Sequence, residues 1–139
     1  MKKTITLSIS LLLIFMLCLT SCNTVDAEGL WESATHRRDM TFGNGAKTVT
    51  VAVKVEEQSV TFTIKTDEEY LGDALIAHEL IEGEEGPYGL YVKKVNGITA
   101  DYDVDASYWA LWKDGDYCSY GVDTAPIADG DVYEIVYTK

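Results

Sequence analysis

Proline and histidine each occur only twice in the 139 residues, and cysteine three times. Two prolines leave most of the chain able to pair as strands. The two histidines, His36 and His78, cannot supply the three or four close nitrogen or sulfur ligands that a zinc site takes, and His78 reads as a residue on the rim of a helix stripe. Cationic side chains are also scarce, 11 against 23 acidic ones for a formal charge of −12. That deficit excludes a nucleic-acid binder, because such binding draws most of its strength from neutralising phosphate, and it disfavours peripheral attachment to anionic headgroups. No Gly-x-Ser-x-Gly elbow, His-Glu-x-x-His helix, phosphate loop or Cys-His pair is present, so the chain reads as a protein that is not an enzyme.

Long apolar runs are nearly absent as well. The one clear case, Leu11 to Leu19, is too short to span a bilayer, and it follows Lys2 and Lys3 in the manner of an export signal. It ends in Leu19-Thr20-Ser21-Cys22, which resembles the bacterial lipobox. That resemblance implies removal of a lipoprotein signal peptide at 1–21, diacylation of Cys22, and an exported protein held at the bacterial cell surface by its lipid. Each buried methylene contributes about 0.8 kcal/mol, so a diacylated terminus is a lasting membrane anchor. Cleavage would remove Cys18 and lipidation would consume Cys22, leaving Cys118 as the single thiol and no intramolecular disulfide. The 118 remaining residues would carry nine basic and 23 acidic side chains, a net charge of −14.

Residues 22–46 read as a lipidated tether, partly ordered at best, with Trp31, Met40 and Phe42 able to dock as an extra strand. The domain proper is expected over 47–139. In TVTVAVKV, Val49, Val51, Val53 and Val55 alternate with Thr48, Thr50, Ala52 and Lys54; in SVTFTIK, Val60, Phe62 and Ile64 repeat the alternation, and the two predict an antiparallel hairpin. Thr66-Asp67-Glu68-Glu69 matches a capping box, predicting a helix of about three turns through Leu71, Ala74, Leu75 and Ile81, stopped by Gly83 and Gly86-Pro87. Tyr88 to Val95 then reads as a strand closed by Asn96-Gly97, residues 99–106 as an acidic loop, and Val132 to Thr138 as a strand apolar on both faces and hence inside the sheet. The sum is an α+β fold, one helix packed on a mixed, mostly antiparallel sheet with an added β-hairpin.

The runs YLGDALIAHELIEG, GPYGLYVKKVNGI and SYWALWKDGDYCSYGVDTAPIADGDVYEIVYT resemble, in that order, the transcobalamin-like C-terminal domain family of bacterial surface lipoproteins. The resemblance covers about residues 47–139. It implies a β-grasp-like fold and a soluble-ligand-binding role, with cobalamin or another corrinoid as the implied ligand. In the cobalamin carriers a helical barrel covers the other face of the ligand; this chain has no counterpart to it, so tight capture would need a partner protein or a second copy.

The aromatic-rich stretch SYWALWKDGDYCSY folds back at Asp114-Gly115. A two-residue type I′ turn pairs Lys113 with Asp116, Trp112 with Tyr117 and Leu111 with Cys118. This register assigns Trp109, Leu111, Cys118 and Tyr120 to the core, the cysteine buried and inert. It assigns Tyr108, Ala110, Trp112, Tyr117 and Ser119 to the other face. That face could be a platform for a flat ligand, with Tyr88 and Tyr91 beside it, or Trp112 and Tyr117 could simply brace the hairpin. Asp101, Asp103 and Asp105 have the spacing of a calcium loop, but Ala106 and Trp112 stand where its glycine and glutamate belong, so only a looser calcium-type site remains. The expected function is thus a tethered binding module for a small molecule or a surface protein partner; the alternative is a structural or adhesive surface domain with weak metal binding.

Overall fold

The structure is a computed structural model that describes residues 27–139; the signal peptide and Cys22 lie outside the described residues. The valine alternation sets the architecture. β2 (Lys47–Val55) and β3 (Gln58–Thr66) pair antiparallel from Lys47 opposite Thr66 to Val55 opposite Gln58. Val49, Val51, Val53 and Val55 are each 1% exposed or less, and Val60, Phe62 and Ile64 join them on the same face. Full burial of such a side chain is worth about 1.5–3 kcal/mol, so this face decides which side of the hairpin is inside.

Two later strands complete the large sheet. β9 (Val132–Thr138) lies parallel to β2, with Tyr133 opposite Val51 and Ile135 opposite Val53. β7 (Tyr108–Lys113) pairs antiparallel on the other side of β9, with Leu111 opposite Ile135 and Tyr108 opposite Thr138. The short β8 (Asp116–Tyr117) follows β7, and β1 (Met40–Gly43) runs parallel to β3 at the opposite edge, giving the order β1-β3-β2-β9-β7-β8. A second, three-stranded antiparallel sheet holds β4 (Ile81–Gly86), β5 (Gly89–Val95) and β6 (Ile98–Thr99) in that order. The fold is therefore α+β, rich in sheet, with one mixed and one antiparallel sheet. As expected, β9 lies inside the sheet, and Asn96-Gly97 and Asp114-Gly115 form turns with positive φ at both residues, 51° and 78° in one and 50° and 84° in the other.

Three expectations are corrected. First, ordered structure begins ahead of Lys47. Helix α1 (Ala27–Trp31) puts Trp31 into the core, where its indole N–H donates to the Val55 carbonyl at 3.5 Å. Residue 36 is also held, because the buried Asn96 side chain accepts from the His36 N–H at 2.9 Å and donates to the His36 carbonyl at 2.8 Å. The extra strand allowed for Met40 and Phe42 is β1.

Second, the helix is shorter than expected and starts later. Thr66 ends β3, and its hydroxyl accepts from the Glu68 N–H at 3.0 Å instead of capping a helix. Helix α2 (Leu71–Ala77) starts after Tyr70 with no side-chain cap; its entry is fixed by the Leu71 N–H donating to the Ala125 carbonyl at 2.9 Å and the Ile127 N–H to the Glu69 carbonyl at 3.0 Å. After Glu79, which has a φ of 56°, the chain becomes β4, and Ile81 reaches the core from a strand. Gly83 therefore stops no helix: it sits at the irregularity between β4 and β5, where a Cβ would lie 2.2 Å from the Tyr91 carbonyl oxygen.

Third, the acidic segment expected as a loop contains helix α3 (Tyr102–Asp105), so the fold has more than one helix.

The core generates two predictions. Trp31→Ala should lower unfolding free energy by about 3 kcal/mol or more in a denaturant titration, as large-to-small core changes do, whereas a spacer residue would be silent. Burial pushes the Tyr133 phenol above its usual value, against the opposing pull of Lys113, and its hydroxyl donates to the Pro126 carbonyl at 3.1 Å. The raised value means the neutral phenol is favoured in the folded state, so this contribution is complete below about pH 10 and is lost as pH rises further. Tyr133→Phe should cost about 1 kcal/mol at neutral pH and flatten the alkaline end of a stability-versus-pH curve.

Candidate functional site

The segment leading into β7 is held from both ends. Asp101 caps α3 by accepting from the Asp103 N–H at 3.1 Å, and Ala106 ends it in the left-handed region with φ 63°, its N–H donating to the Tyr102 carbonyl at 2.9 Å. Beyond it, the buried Ser107 donates its hydroxyl and its backbone N–H to Asp105. Those bonds, the hydroxyl's foremost, hold the Asp105 carboxyl below the usual aspartate value. The Ala100 N–H donates to the Lys93 carbonyl at 2.8 Å and ties the same segment to β5.

This local construction gathers aromatic rings. Tyr91 from β5, Tyr102 and Asp103 from α3, and Tyr108 at the start of β7 line an open hollow of about 450 Å³. Tyr102 is 59% exposed and Tyr91 40%, both high for large aromatic side chains. At one side, Lys93 bridges Glu84 at 3.3 Å and Asp101 at 3.9 Å and lies 6.0 Å from the centre of the Tyr91 ring. The Glu84 carboxylate beside it is the main cause that holds the Lys93 ammonium above its ordinary value.

The expected site residues separate into groups. Tyr91, Tyr108 and Asp103 come together in the hollow. Trp112 and Tyr117 lie elsewhere, on the solvent face of the large sheet, and pack edge to face on each other at 5.5 Å and 77°. Tyr88 is 99% exposed at the tip between β4 and β5 and is not among the residues lining the hollow. Tyr102 is the residue that sequence reasoning misses, because its segment presents itself as a row of carboxylates; the heptapeptide Asp101–Ser107 is instead a short capped helix that turns its tyrosine outward. Within the hairpin, Leu111 and Cys118 are buried as expected, but Tyr120 is corrected: it is 42% exposed. The hairpin's ladder ends at Trp112 and Tyr117, followed by one further bond from the Cys118 N–H to the Leu111 carbonyl at 2.9 Å. Beyond it β7 continues to pair only with β9, so Tyr120 has no strand to hold it inward.

The acidic residues are occupied with structure. Asp101 caps α3, and Asp105 accepts from Ser107 and meets Lys139 at 3.6 Å. Asp129 accepts from the Thr48 N–H at 2.7 Å, and Asp131 accepts from the Ala128 N–H and bridges Lys113 at 3.2 Å. Among the described residues no group of three His, Cys, Asp or Glu side chains is placed to hold a metal ion. His36 and His78 each pack 5.4 Å from the ring of Phe42, which makes them part of the clasp that holds β1.

No family model matches the chain, and no curated protein matches it either. Among solved structures it is similar to a protein of Ruminococcus gnavus ATCC 29149 that is provisionally described as metal binding: 35% identity over 67% of this chain and 97% of that one, with a TM-score of 0.63. The chain belongs to the family of that protein. It is also similar to haptocorrin, solved in complex with Cbi, at 22% identity and a TM-score of 0.51 over 70% of this chain. That likeness is one of fold alone, and the chain spans 26% of the haptocorrin chain.

The Trp112–Tyr117 pair is expected to act on stability. A double-mutant cycle with Trp112→Ala and Tyr117→Ala should return a coupling of about 0.5–1.5 kcal/mol in denaturant unfolding, the value of an edge-to-face pair, with the domain still folded.

Proposed function

We propose that this chain is a membrane-tethered, extracytoplasmic binding module that takes a small molecule or a surface partner in the tyrosine hollow. The carrying observation is the hollow itself: three exposed or half-exposed tyrosines from β5, α3 and β7 line one open hollow of about 450 Å³. Exposed aromatic walls with a single carboxylate at the edge are what a recognition site needs, apolar contact area with a few polar handles. The reading places Tyr91, Tyr102 and Tyr108 in contact with ligand and leaves no nucleophile in the site, so it is of binding and not catalysis.

Two further features fit. The order β3-β2-β9-β7 with β2 and β9 parallel is the one a β-grasp fold would have, which is the fold that the transcobalamin-like resemblance implies. The haptocorrin likeness makes a corrinoid the first flat ligand to try. With Cys22 lipidated, four residues, 23–26, would stand between the lipidated residue and the start of α1 at Ala27, five residue steps in all. At about 3.3–3.6 Å per residue that tether reaches at most roughly 18 Å, so the domain would sit close above the bilayer.

The alternative, a surface domain with weak calcium-type binding, has the provisional description of the Ruminococcus gnavus relative in its favour. A thermal-shift series on the protein with corrinoids, haem, flavins and divalent ions, each with a chelator control, separates the two. A ligand at 100 times its Kd stabilises by about 2.7 kcal/mol, a shift of several degrees in a domain of this size. The proposal expects an organic ligand to raise Tm and Tyr102→Ala to abolish that rise. A rise with calcium alone, unchanged by Tyr102→Ala, would favour the alternative.

A further inference from the structure

The hollow has a more specific chemistry than its apolar walls alone. Tyrosine ring faces carry the negative part of the aromatic quadrupole, and several of them converging on one space attract a cation that is too weakly hydrated to prefer water. Here the side chains of Tyr91, Tyr102 and Tyr108 line one open space together with Asp103. None of the described aromatic pairs, the His36, Phe42, Phe62 and His78 cluster, Trp109 with Tyr137 and Trp112 with Tyr117, uses a ring of the hollow. The neighbourhood is acidic: Glu84, Asp101, Asp103 and Asp105 face two ammonium groups, Lys93 and Lys139, both already in ion pairs. Lys93 Nζ, held by Glu84 and Asp101, lies 6.0 Å from the Tyr91 ring centre at one side of this space. The net charge of −12 points the same way.

We infer that the hollow is an aromatic cage for an alkylated ammonium group, a trimethylammonium head of the choline or betaine type. A primary ammonium is a poorer fit, because it is strongly hydrated and the open hollow offers one carboxylate and no ring of carbonyls to replace that water. A trimethylammonium group spreads its charge over methyls that contact ring faces directly. The inference rests on the reading of the hollow as the binding site and names the ligand class it takes.

The test uses the full chain in a maltoside detergent, which lacks the choline head that would compete. Ligand-observed saturation-transfer NMR compares choline with 3,3-dimethylbutan-1-ol, the neutral molecule of the same shape. The expected result is transfer to the choline methyls with an affinity about tenfold above that of the neutral isostere, the size of a cation–aromatic contribution. Tyr102→Ala should weaken choline about tenfold and Asp103→Asn severalfold, while the paired Trp112→Ala, Tyr117→Ala variant binds as before. Tyr102 lies on an exposed one-turn helix, and Tyr102→Phe, which keeps the ring, should retain binding and so guards against a folding artefact. Equal affinity for choline and the isostere, with loss in Tyr102→Ala, would overturn the ammonium assignment and leave the hollow standing as a site. Choline binding indifferent to Tyr102→Ala would overturn both. No transfer to either molecule would overturn the ammonium assignment, and the corrinoid series then decides the site.

Discussion

The parallel contact between β2 and β9 is the constraint on which the rest of the molecule depends. β9 is the last strand in the described chain, yet it lies in the middle of the large sheet, hydrogen-bonded to β2 on one side and β7 on the other. Parallel neighbours cannot be joined by a tight turn, so everything between residues 55 and 132 is the connection that brings β9 back beside β2. The contact is made worthwhile by the face it seals: Tyr133 and Ile135 meet Val51 and Val53, all of them buried, over the helix and the second sheet. Gly130 and Asp131 fix the strand's entry, with Gly130 N–H donating to the Thr48 carbonyl at 2.8 Å and Thr50 N–H to the Asp131 carbonyl at 3.0 Å.

The candidate site inherits its geometry from that contact. β9 sets the register of β7, and the pairing of Tyr108 with Thr138 puts Tyr108 at the end of the sheet where α3 arrives. From the other side β5 supplies Tyr91, and the bond from Ala100 to Lys93 keeps the two segments together. Three tyrosines from separate elements thus share one hollow without any of them being part of the core. The one-turn helix is the weakest member, exposed and held mainly by its own caps, so the hollow is rigid on two sides and adjustable on the third.

Much of this is legible in the residues. The alternating valines, the Asn-Gly and Asp-Gly turns, and the interior position of the last strand can each be read because a period of two and a left-handed turn pair have single physical explanations. The departures come where local rules are outweighed by contacts distant in sequence. Thr66 and Glu69 make a sound capping pattern, but the pull of the core extends β3 through Thr66, and the backbone at residues 125–127 supplies what a cap would have given. Residues 27–43 look polar and spacer-like, and no pattern within them reveals that Trp31 fits under Val55 or that Asn96 holds residue 36. For the site, Tyr91 and Tyr108 are readable as aromatics off the core. Tyr102 is hidden by its acidic neighbours, and Trp112 and Tyr117 are readable from the turn register as a cross-strand pair that braces the hairpin, which is how they pack.

Native-state hydrogen exchange on the amides of β9 tests the central claim most directly. If the β2–β9 contact holds the molecule together, the amides of Tyr133 to Val136 should exchange only through global unfolding, with the same free energy as those of Val51 and Val53. Exchange of β9 through a local opening, while β2 and β3 stay protected, would contradict it and would mean that the hollow is assembled by some other contact.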